Sequence, residues 1–96
     1  MCTYPKINMK ATGENIRRLR ITKGYSVRQL QSCFGFDDPQ AIYRWQWGKS
    51  IPSIDNLVIL SVIFHEKIDS IIVVNSDDDA VPFYLLVFLI ILLALT

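Results

Sequence analysis

The chain is poor in the residues that carry most site chemistry. It has two cysteines and one histidine in 96 residues. Cys2 and Cys33 are too few and too unevenly placed for a disulfide framework, and no Cys/His spacing of a zinc site occurs. Reduced thiols in a cytoplasmic setting are expected. Catalysis needs a nucleophile or an acid–base pair, whereas His65, beside Glu66 and Lys67 at a predicted helix end, reads as a solvated terminus. The four glycines form no phosphate-cradling loop. Asp77, Asp78 and Asp79 lack the glycine and distal glutamate of a calcium loop. The chain is therefore expected to be no enzyme and to need no metal or cofactor. The opening MCTYPKINMKATGEN has no apolar core of a secretory signal. No internal repeat is visible, and IIVV at 71–74 is the one strand-like run.

What remains is a small chain with uneven charge. A core of this size stabilises a fold by only a few kcal/mol below roughly 70 to 80 residues, so support from dimerisation is expected. The net charge of +1 hides a division: residues 1–74 carry ten basic and six acidic side chains, a net +4, and the three remaining acids are the aspartates at 77–79. A moderately basic domain favours a polyanion, though less than a charge-dominated nucleic-acid binder does.

Helical signals follow one another closely. Residues 1–11 show no apolar periodicity and contain Pro5, which predicts a flexible arm bearing Lys6 and Lys10. Thr12 is placed to cap a first helix over about 13–23, with Ile16 and Leu19 inward and Arg17, Arg18 and Lys23 outward, ended by a left-handed Gly24. Ser26 and Gln29 fit a capping box opening a second helix, whose buried stripe is Val27, Leu30 and Cys33 or Phe34. Gly35 gives a sharp exit. Asp38 as acidic N-cap and Pro39 at the first position start a third helix to about Trp47, in which Ile42 and Trp45 share one face. That leaves Gln40, Ala41, Tyr43, Arg44 and Trp47 on other faces. Ser53 caps a fourth helix to about Phe64 with Leu57, Leu60, Ser61 and Phe64 inward. A short fifth, about 68–73, covers the first and fourth through Ile68, Ile71 and Ile72.

Two short helices joined by a tight glycine-containing turn, Ser26 to Gly48, have the layout of a helix-turn-helix. Three phrases sharpen it: NIRRLR in the first helix, S-x-x-Q-L opening the second, and I-x-R-W-x-x-G-x-x-x-P from Ile42 to Pro52. With these the chain resembles the phage-repressor and Cro type of helix-turn-helix, the xenobiotic-response-element (XRE) family, over about residues 13–73. The resemblance implies an all-α, five-helix, lambda-repressor-like domain that binds double-stranded DNA as a sequence-specific transcriptional regulator. It also implies a homodimer on a two-fold-related site one helical turn apart.

In that family the third helix enters the major groove, which here points to Gln40, Ala41, Tyr43 and Arg44 as base readers. A glutamine amide can pair with adenine and an arginine with guanine, although Arg44 fits an ion pair or a phosphate clamp equally well. Val27 stands where the family often has a phosphate-gripping glutamine, so that role passes to Arg28, with Arg17 and Lys49 as further phosphate candidates.

This sequence departs from the pattern in several places. The stretch Phe36 to Pro39 is one residue longer than the usual turn and sets Asp37 where phosphates pass. Gln46 replaces a common glutamate. Trp47 occupies a usually polar place, with deoxyribose, a partner subunit or Ile51 as its candidate neighbours. His65 stands where a glycine commonly ends the fourth helix, a position histidine tolerates better than most residues.

After an acidic linker at 75–79 comes AVPFYLLVFLIILLALT, Ala80 to Thr96, without a single charge. As a helix it would span about 25 Å, slightly less than a bilayer core of roughly 30 Å. Three readings fit this hydrophobic C-terminal helix: a transmembrane anchor on the cytoplasmic face, a buried oligomer helix, or an aberrant reading-frame end. The first supports a rival function, a membrane-tethered protein-interaction module that uses the helix-turn-helix scaffold without DNA.

Overall fold

A computed structural model describes residues 5–75 and 83–95. Helix α1, Met9–Thr22, starts one turn earlier than the sequence signals suggest. Asn8, an excellent N-cap, accepts from the Ala11 N–H at 2.9 Å through Oδ1. The chain before it is held: strand β1, Lys6–Ile7, pairs antiparallel with strand β2, Val74–Asn75, and Asn8 N–H donates to Val73 O at 2.8 Å. The expectation of a flexible arm through residue 11 is thus corrected for residues 5–11, and residues 1–4 lie outside the described part. Thr12 is not a cap either. It is buried inside α1, where Oγ1 accepts from Val73 N–H at 2.9 Å and donates to Val73 O at 3.3 Å.

Helix α2, Val27–Phe34, opens on the full capping box, with Ser26 Oγ accepting from Gln29 N–H and Gln29 Oε1 accepting from Ser26 N–H. It ends on Gly35 at φ 69°. Leu30 is its buried residue, flanked by the partly buried Val27 and Phe34. Of the two alternatives for the last place on the inner stripe, Phe34 takes it and Cys33 is exposed. The i, i+4 pair Leu30 and Phe34 already fills that stripe, and Phe34 packs against Phe36 and Trp45 with ring centroids 4.9 and 5.5 Å away.

Helix α3, Gln40–Gln46, buries Ile42, Trp45 and Gln46. Helix α4, Ile54–Phe64, is capped by Ser53 and buries Leu57, Leu60 and Phe64. His65 ends α4 in the left-handed region, at φ 54°. Helix α5 is only Ile68–Ile71, shorter than expected, because Ile72 is already extended and the chain continues into β2. Ile16, Leu19, Leu30, Ile42, Trp45, Leu57, Leu60, Phe64 and Ile71 form one core. An all-α domain results, with a minimal two-stranded clasp joining its two ends.

The hydrophobic tail contains helix α6, Phe83–Leu95, apolar throughout. At about 20 Å it falls well short of a bilayer core of roughly 30 Å. No helix among the described residues is long and apolar enough to cross a membrane. The described part of the tail thus does not support the transmembrane-anchor expectation, which was drawn for the whole of Ala80 to Thr96. The linker at 76–79, Ala80 to Pro82 and Thr96 lie outside the described residues.

Candidate nucleic-acid interface

The position of α3 is set by unusually close contacts with α1. Gly13 is buried against the end of α3: a Cβ on it would press into the Trp45 carbonyl oxygen and stand 2.9 Å from that of Gln46. Without side chain or branch, glycine lets the two backbones touch. A second tie is polar. Arg20 donates from Nε to Gln46 Oε1 at 2.9 Å and from a terminal nitrogen to Tyr25 O at 2.8 Å. One guanidinium therefore joins α1, the α1–α2 turn and the last turn of α3. Gln46 is 9% exposed, so a neutral amide fills this position without a buried charge to desolvate.

The turn from α2 to α3 accommodates its extra residue by folding Phe36 inward. Phe36 N–H donates to Gln31 O at 3.1 Å, closing the end of α2, and the ring meets Trp45 edge-on at 6.0 Å. Pro39, at φ −88° and ψ 7°, is the last turn residue rather than the first helical one. Asp38, expected as the N-cap, stands one residue before it, and its Oδ1 accepts from Gln40 N–H at 2.9 Å. Asp37 is exposed.

With one face of α3 buried, the other presents Gln40, Tyr43, Arg44 and Trp47. Gln40 and Arg44 lie one turn apart, both exposed, and neither side chain has a hydrogen-bond or ion-pair partner among the described residues. Arg28 on α2 and Arg17 on α1 are likewise exposed and unpaired among the described residues, whereas Arg18 donates to Asn15 Oδ1 at 2.7 Å and Lys23 meets Glu66 at 3.6 Å. Basic side chains with and without a partner among the described residues are thus separable by what they touch.

No family profile matches the sequence and no curated protein does. The restriction-modification controller protein C.AhdI from Aeromonas hydrophila superposes with a TM-score of 0.59 at 22% identity, over 66% of this chain and 94% of that one. The DNA-binding domain of BldD gives 0.59 at 13% identity, over 69% of this chain and 94% of that one. This chain has the same helix-turn-helix fold. The resemblance to the XRE type read from NIRRLR and I-x-R-W-x-x-G-x-x-x-P is matched by the fold.

Within the helix-turn-helix domain, Gln40, Tyr43 and Arg44 share the outer side of α3, Tyr43 half-buried. Ala41 is half-buried and packs on the core, which leaves its methyl less surface than its neighbours offer. Lys49, past the end of α3, stands over the Trp47 ring with Nζ 5.5 Å from the centroid. Arg17 lies one turn along α1 from Gly13, on the side that meets α3. The reading of the sequence missed the Arg20–Gln46 tie and the place of Lys10, whose backbone abuts Gly48 at the end of α3. A polar residue at a position that helical spacing places inside, as at Gln46, was the available signal for the first.

Proposed function

We propose that the protein binds double-stranded DNA sequence-specifically and acts as a cytoplasmic transcriptional regulator, a binding protein rather than an enzyme. Its α3 lies in the major groove. The observation that carries this reading is the pair Gln40 and Arg44: two long, exposed side chains one turn apart on the outer face of α3, with no partner among the described residues. Polar groups so held are free to hydrogen-bond base edges, glutamine with adenine and arginine with guanine, while Tyr43 between them reaches a base or a phosphate. Arg17, Arg28 and Lys49 supply phosphate contacts that fix register without reading sequence. The fold it shares with a controller protein and a DNA-binding domain supports the same reading.

The proposal includes a second copy. The outer side of α4 exposes Ile54, Val58 and Val62 at intervals of four, at 77, 48 and 68%, an apolar stripe suited to self-association. A two-fold dimer places two α3 helices on half-sites about 34 Å apart, one helical turn. The test is selection by the full chain from a random duplex library. The expected product is a motif with two-fold symmetry and half-sites one turn apart; a pool with no enriched sequence at low salt would refute DNA reading, and a single unrepeated half-site would refute the dimer.

A further inference from the structure

Trp47 is 59% exposed, yet its ring is held. It stacks on Tyr43 one turn earlier, with centroids 5.6 Å apart and planes within 23°, and Lys49 Nζ stands 5.5 Å from its centroid. The chain reversal that brings Lys49 back is built in: Gly48 adopts φ 72°, its N–H donates to Trp45 O at 3.1 Å, and Lys49 N–H donates to Arg44 O at 2.9 Å. Gly48 also rests directly on Lys10, since a Cβ there would lie 2.7 Å from the Lys10 Cα. The end of α3 therefore gathers two stacked aromatic rings and two lysines, continuous along the helix with Gln40 and Arg44.

An exposed indole with the Lys49 ammonium over its ring suits a surface that alternates apolar sugar with anionic phosphate. We infer that Trp47 and Lys49, with Lys10 beside them, form a second, sequence-independent edge of the interface that grips the duplex backbone. Trp47 packs on deoxyribose beyond the bases faced by α3, and the lysines meet the flanking phosphates. Tyr43 fixes the plane of the indole and so lowers the entropy lost on binding. The inference rests on the DNA-binding reading but assigns Trp47 a role that reading does not require.

The two tryptophans make it testable, because Trp45 is 4% exposed and Trp47 is the accessible indole. Acrylamide quenching of the full chain, with and without a saturating duplex from the selection, reports Trp47. The expected result is strong protection by the duplex, absent in Trp47→Phe, and an affinity for Trp47→Ala about tenfold lower on every sequence with the preferred motif unchanged. Duplex binding with unchanged quenching, or with Trp47→Ala within twofold of the parent, overturns the inference and leaves DNA binding standing. So does a variant that keeps DNA affinity as a monomer but no longer self-associates, which would make Trp47 a protein contact. Failure of every duplex to bind removes both readings together, and is distinguished by that fact.

Discussion

Replacing Gly13 by alanine sets two well-defined effects against each other. In a helix interior alanine is favoured over glycine by about 1 kcal/mol, so local propensity predicts a more stable protein. The tertiary contact predicts the reverse. The new methyl would overlap the Trp45 carbonyl oxygen and sit 2.9 Å from that of Gln46. Both oxygens are backbone and cannot rotate away, so α1 and α3 must part. Overpacking of this kind costs typically 1–3 kcal/mol, and contact with main chain places it in the upper part of that range. The net loss is about 1–2 kcal/mol after the gain in propensity, which for a domain this small lowers Tm by roughly 5–15 °C. Circular dichroism melts of the full chain, with urea midpoints as a second measure, decide the sign. A variant as stable as the parent, or more stable, would show that α1 and α3 do not meet backbone to backbone.

Two further outcomes follow from the same geometry. Gln46→Leu removes the acceptor of Arg20 Nε and should cost about 1–3 kcal/mol in chemical denaturation, whereas Gln46→Glu, which keeps an acceptor, should stay within about 1 kcal/mol; equal losses would refute the tie. Arg17→Ala, Arg28→Ala and Lys49→Ala should each flatten the slope of log affinity against log salt by about 1 without changing the preferred sequence, and an unchanged slope removes that residue from the phosphate set. Loss of preference at a base position in any of the three would convert it to a reader.

How much of this was legible depends on the distance over which each signal acts. The capping box of Ser26 and Gln29, the left-handed Gly24, Gly35 and His65, and the shared inner face of Ile42 and Trp45 are local, and each stands where the sequence places it. The start of α1 is not local. Asn8 caps it while Lys6–Ile7 is paired with Val74–Asn75, a contact across the whole domain that no window of a few residues contains. Thr12 misled for the same reason: a threonine before a periodic stretch looks like a cap, and its real partner is Val73, 61 residues away. Cys33 fits the apolar spacing as well as Phe34 does, and only the ring cluster with Phe36 and Trp45 decides between them. At the site, Gln40 and Arg44 could be named from the helix register, but that neither side chain has a partner among the described residues is a property of the folded chain. Arg20 and Arg44 are indistinguishable by composition, and their roles separate when Gln46 is seen to hold one of them.

The central claim is that the outer face of α3 reads base edges, and the comparison of Arg44→Ala and Gln40→Ala with the parent chain in the same duplex selection tests it most directly. Each variant should lose discrimination at one base position per half-site, by about 1–3 kcal/mol, and keep the rest of the motif. Uniform weakening across all sequences, with the motif intact, would make both residues phosphate contacts and contradict the account.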